Sequence, residues 1–128
     1  MAACRDLAGN MYAKVGLATD ILERLPNIQV GCPFEFERVD FVYLPSRSLA
    51  SKAEKRCHVA LKRYHARGEW FYAAANDAAA RTAIECFSEI VAAVAGGPVK
   101  VGSLDIGLYD QVRRRYRAHF RPNISAEV

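Results

Sequence analysis

The first apolar positions of the chain fall in two short runs, and the later ones recur at three- and four-residue intervals. Met1–Cys4 is apolar, Arg5-Asp6-Leu7-Ala8-Gly9-Asn10 has the composition of a turn, and Met11–Val15 is a second short run. Two brief strands around a turn predict a hairpin. Asp20 then stands where a helix N-cap belongs, with Glu23 three residues later in a capping-box arrangement. Pro26 follows closely, so the pattern predicts a helix over 20–25 that ends or bends at the proline. Gly31-Cys32-Pro33 reads as a turn, and Phe34–Tyr43, rich in Phe, Val and Tyr, as a strand.

From Ser48 to Ala66 the spacing turns helical. Leu49, Ala53, Cys57, Ala60, Leu61 and Tyr64 form one apolar stripe. Arg67-Gly68 ends it, and Glu69-Trp70-Phe71-Tyr72 reads as a short strand. Asn76 or Asp77 caps an alanine-rich helix expected to run to Ala95, where Gly96-Gly97 stops it. Pro98–Val101 reads as a brief extended piece. A last helix is expected over Leu108–Phe120, with Val112, Tyr116 and Phe120 on one side. The sum is an α/β (α+β) unit, a small antiparallel sheet flanked by helices, with a C-terminal helical extension.

At 128 residues the chain is long enough for one core and short for two. A composition 52% hydrophobic and 25% charged is that of a soluble globular domain, and no apolar run approaches the roughly 20 residues of a membrane span. The N-terminus is too polar for a secretory signal, which places the protein in the cytoplasm as an expectation. Cys4, Cys32, Cys57 and Cys86 are far apart with no CxxC pair, so they read as reduced thiols and not as a zinc site. A net charge of +4 is compatible with a polyanionic partner.

Lys14-Val15-Gly16, Asp20, Arg24-Leu25, Gln29-Val30-Gly31-Cys32-Pro33, Glu54, His58 and Arg67-Gly68-Glu69-Trp70-Phe71 occur in an order that resembles the GIY-YIG endonuclease superfamily. The likeness is to its phage-type branch, with a Lys-Ile-Gly second motif and a closing Gly-Glu-Trp-Phe. It covers residues 1–75, leaving 76–128 as a helical extension packed on the same unit. The resemblance implies a three-stranded antiparallel sheet and a metal-dependent nuclease hydrolysing phosphodiester bonds, with DNA the expected substrate. It assigns Arg24 to the scissile phosphate and Glu54 to one divalent metal, Mg²⁺ or Mn²⁺. A guanidinium fork fits phosphate oxygens, and a carboxylate suits Mg²⁺.

His58 lies four residues after Glu54 and shares its helix face, where it either acts on the glutamate, phosphate or proton, or packs beside the Trp70 strand. Trp70 and Phe71 read as core residues of their strand. Lys14 stands where a tyrosine often precedes Ile-Gly, and Ala2 where the family carries its first-strand tyrosine. The general base is therefore unassigned, and Tyr12, on the strand face of Lys14, is the candidate to fill the gap. Lacking that tyrosine, the alternative function is a degenerate module that binds nucleic acid or a protein partner without cleaving. Arg113, Arg114, Arg115 and Arg117 crowd the last expected helix and are candidates for sequence-independent phosphate contacts.

Overall fold

A computed structural model describes residues 1–105. The chain order is β1 (Ala2–Arg5), β2 (Met11–Lys14), α1 (Ile21–Val30), β3 (Arg38–Val42), α2 (Arg47–Ala60), a 3₁₀ turn (Lys62–Tyr64), β4 (His65–Arg67), β5 (Trp70–Ala73), α3 (Ala78–Glu85), α4 (Phe87–Ala95) and β6 (Val101–Asp105). The strands form one antiparallel sheet in the order β4-β5-β2-β1-β3-β6. The expected α+β class and the hairpin are what the chain forms. The expected arginine-rich helix over 108–120, with Arg113, Arg114, Arg115 and Arg117, lies outside the described residues.

The β1–β2 hairpin is closed by Asp6. Its carboxylate accepts the backbone N–H groups of Ala8 (2.9 Å) and Asn10 (3.0 Å), the Asn10 amide (3.0 Å) and the Tyr12 hydroxyl (3.2 Å). Gly9 takes φ +86°, a left-handed conformation that glycine adopts without steric cost. Asn10 Oδ1 in turn accepts Ala75 N–H at 2.9 Å, tying the hairpin to the chain after β5.

Alternation along the strands sorts the core into two layers. Ala3, Met11, Ala13, Phe71 and Ala73 point to one face, where they meet Ala53 and Cys57 of α2, Ala80 and Ile84 of α3, and Phe87 and Val91 of α4. Ala2, Cys4, Val39 and Leu104 point to the other, under Leu22 and Leu25 of α1 and the loop residue Phe36. Trp70 packs at the edge of this second layer, stacked on Phe36 with ring centroids 6.4 Å apart.

Five boundaries differ from the sequence reading. Helix α1 passes through Pro26 to Val30. Proline inside a helix costs about 3 kcal/mol, but both ends are anchored here. Asp20 Oδ1 accepts Leu22 N–H (3.0 Å) and Glu23 N–H (3.4 Å). Gln29 donates to the Phe34 carbonyl (2.8 Å) and accepts Phe36 N–H (3.0 Å). Helix α2 stops at Ala60, not Ala66. The Leu61–Tyr64 spacing of three is met by a 3₁₀ turn, with Tyr64 N–H donating to Leu61 O at 2.9 Å, and His65–Arg67 then pairs with β5. The expected 77–95 helix is two helices that pivot at Cys86, because Ile84, Phe87 and Val91 keep helical spacing across the break. The extended piece placed at 98–101 is β6, displaced toward the C-terminus by its pairing of Val101 with Val42. Within 34–43 only 38–42 is strand, and Phe36 is a buried anchor of the loop before it.

Candidate functional site

Strand β2 ends at Lys14, flanked by Ala2 of β1 and Trp70 of β5. One residue further, Val15 N–H donates to the Glu69 carbonyl at 3.2 Å, and the chain turns away at Gly16. The absence of a side chain matters at this turn. A methyl placed on Gly16 would sit 3.4 Å from Glu69 Oε2 and 4.0 Å from Glu54 Oε1. Gly16 therefore lets two carboxyl groups from different elements, α2 and the β4–β5 turn, approach the end of the sheet.

A cavity of about 310 Å³ wraps this end, where β1 begins and β2 finishes. Lys14, Gly16, Arg24, Arg47 and Glu54 line it, with Ala53, Cys57, Phe87 and Val91 among its apolar walls. Arg24 reaches it from α1 on one face of the sheet and Glu54 from α2 on the other, so the cavity spans both layers. Among the described residues no ion pair involves Arg24. Arg47 donates to the Thr19 hydroxyl at 3.1 Å across the mouth.

The two carboxyls are electrostatically unlike. Glu54 is pushed above the ordinary carboxylate range, first by burial and then by a hydrogen bond to Glu69 and that group's charge; His58 and Arg24 oppose the rise. Burial would raise Glu69 as well, but its hydrogen bond and ion pair with Lys14, at 3.1 Å, outweigh that and hold it below the usual range. When the pair holds a single proton, these opposite shifts favour Glu54 as its site, with Glu69 ionised beside Lys14. The Lys14 ammonium also lies 5.7 Å from the Trp70 ring centroid.

His58 sits one turn after Glu54, edge-on to Phe71 at 5.1 Å. Its Nε2 lies 2.8 Å from the Val15 carbonyl. A carbonyl only accepts, so Nε2 carries the proton and Nδ1 is left as the accepting nitrogen of the neutral ring. His58 is thus both packed and polar. The structure gathers Lys14, Arg24 and Glu54 on one cavity with His58 beside them. It holds Tyr12 apart: that hydroxyl donates to Asp6 at the opposite end of β2, and Ala2 lines the cavity.

Sequence reasoning missed Glu69 and Arg47. Glu69 stands inside a Gly-Glu-Trp-Phe stretch that reads as structural, and its one signal was a lone acid opening an aromatic strand. Nothing in the local pattern marks Arg47, which the α2 N-terminus brings to the cavity. Among the described residues no group of three or more His, Cys, Asp or Glu side chains is gathered as a metal cluster, and no helix is long and apolar enough to cross a membrane. Compared with known proteins, residues 2–91 match one family of domains. Among curated proteins and among solved structures, nothing matches the chain.

Proposed function

The chain belongs to the T5orf172 domain family, and from that premise we propose a metal-dependent nuclease of GIY-YIG type that hydrolyses phosphodiester bonds in nucleic acid, with DNA as the first substrate to try. The family is a phage-associated domain found in some endonucleases, which supports a role with nucleic acid. The observation that carries the reading is the meeting of Arg24 and Glu54 on one cavity from opposite faces of the sheet.

The chemistry of the donors suits the proposed cation. Glu54 and Glu69 offer hard oxygens side by side, next to a residue without a side chain. Mg²⁺ takes one or two carboxylates and keeps several waters. When bound, such a cation would polarise a phosphoryl oxygen and stabilise the leaving oxygen. The chain's own residues do the rest. Arg24 grips the phosphate through its planar fork, and Arg47 adds charge at the mouth. Lys14 favours the ionised form of Glu69, and Glu54 would serve as a ligand in its carboxylate form. In this reading His58 would take a proton through Nδ1, the ring nitrogen that its bond to the Val15 carbonyl leaves as acceptor.

Ala2, lining the cavity where the resemblance expects a tyrosine, favours a second reading, a module that binds nucleic acid without cutting it. One experiment separates the two. Full-length protein is incubated with plasmid and branched DNA, with Mg²⁺ or Mn²⁺ and with chelator, beside Glu54→Ala and Arg24→Lys. Cleavage that chelator and Glu54→Ala abolish, and that Arg24→Lys lowers about a hundredfold or more, supports the nuclease. Retention of DNA without cleavage supports the binding module. Equal cleavage by Glu54→Ala and parent sinks the metal assignment.

A further inference from the structure

The second core layer holds a pair of thiols that the proposed chemistry does not use. Cys4, on β1, is 1% exposed. Cys32 follows the last turn of α1 and is partly exposed. Their sulfurs lie 3.3 Å apart although 28 residues separate them in the chain. The other two cysteines are placed differently. Cys57 directs its sulfur at the Phe87 carbonyl, 4.0 Å away, and Cys86 stands at the pivot between α3 and α4.

We propose that Cys4 and Cys32 form a reversible disulfide by exchange with a low-molecular-weight disulfide of the glutathione type, making this pair a modification site that staples the end of α1 to β1. A sulfur–sulfur bond is about 2.05 Å long, so closure asks the two atoms to approach by roughly 1.3 Å. Side-chain rotation and a small shift of the Cys32 turn are the routes to that displacement.

The exposure difference orders the reaction. Cys32, which solvent reaches, attacks the small disulfide, forming a mixed disulfide and releasing one small thiolate. That thiolate takes the proton of Cys4, whose sulfur then attacks Cys32 Sγ and expels the second small thiolate, which takes up the proton that Cys32 lost to solvent on attacking. Two protein thiols and one small disulfide become one protein disulfide and two small thiols. Cys4 does not begin the exchange: burial, then its hydrogen bond to Cys32 and that group's charge, push its thiol up to about 12.

The test is thiol mapping on the full chain. The protein is incubated with oxidised glutathione, quenched in acid, alkylated and digested for mass spectrometry. We expect two of the four thiols to be lost, a peptide linking Cys4 to Cys32, and full recovery after dithiothreitol. Cys86→Ser should leave the linkage intact, and Cys32→Ser should leave Cys4 a thiol. The oxidised parent should also melt several degrees above the reduced one, a shift absent from Cys32→Ser. Glutathione retained on Cys32 with Cys4 still free, a linkage to Cys57 or Cys86, or four unreacted thiols would each overturn the proposal. None of these outcomes depends on whether the protein cleaves DNA.

Discussion

The two faces of the sheet are unequally consolidated. On one, α2, α3 and α4 bury a continuous apolar cluster that includes Phe71 and Ile84, both with no measurable exposure. On the other, α1 and the Phe36 loop cover a smaller layer, and α1 itself carries a proline. Of the two residues proposed to act together on the cavity, Glu54 comes from the thick layer and Arg24 from the thin one. The position of the carboxylate is therefore secured by packing against several helices. The position of the guanidinium depends on one capped helix and the Gln29 anchors.

This difference can be broken by matched truncations. Phe71→Ala should cost about 3–5 kcal/mol and Leu25→Ala about 2–3 kcal/mol, because the thin layer can relax around the smaller side chain. Urea denaturation of both variants measures this, and equal costs would make the layers equivalent. Leu25→Ala should also lower any DNA cleavage by more than its unfolded fraction accounts for, since it loosens the helix that holds Arg24.

A smaller effect concerns pH. Because Glu54 is raised, its contribution to folding is fully present at acid pH and is lost as pH climbs through its raised value; Glu69, held low, contributes above the ordinary carboxylate range and loses that as pH falls. Metal-dependent activity should therefore gain its acid limb above the pH of an ordinary glutamate. Glu69→Gln removes a charge that raises Glu54, so the limb should move to lower pH; a pH–rate profile that stays put would separate the two carboxyls. The smallest stability change belongs to Gly16→Ala. Its new methyl would meet Glu69 Oε2 at 3.4 Å, the edge of ordinary contact, so the melting temperature should barely move. Cleavage should fall more, through displacement of the carboxyls, and an unaltered rate would show that their spacing is not critical.

Much of the thick layer was legible from local pattern. The stripe Leu49–Ala53–Cys57 predicts α2, and the hydrophobic run around Trp70-Phe71 predicts β5. Periodicity failed where it stayed in phase through a change of backbone, at Leu61–Tyr64 and at Cys86. Pro26 misled because the helix is anchored at both ends: the Asp20 cap was legible, but the bonds of Gln29 to the backbone of Phe34 and Phe36 beyond the helix have no local signature. Arg24 and Glu54 were picked out by motif order, which gives candidates but no geometry. The proximity of Glu54 to Glu69, and of Cys4 to Cys32, arises from sheet register and layer packing, which no window along the chain contains.

The outermost strands of the sheet face a hazard of their own. At one side β4 is three residues long, with every residue exposed and two of them basic, a poor template for another chain. At the other, β6 covers β3 through five paired residues and brings Ser103 to Asp40, a buried carboxylate also held by Arg38 at 2.7 Å. The family match ends at residue 91, before β6 begins. A fragment trimmed to that boundary would bare the peptide groups of β3 and deprive Asp40 of one donor. It should self-associate by strand addition, and light scattering of the 1–91 fragment against the full chain would register it; a monodisperse fragment would mean that β6 is dispensable as an aggregation guard.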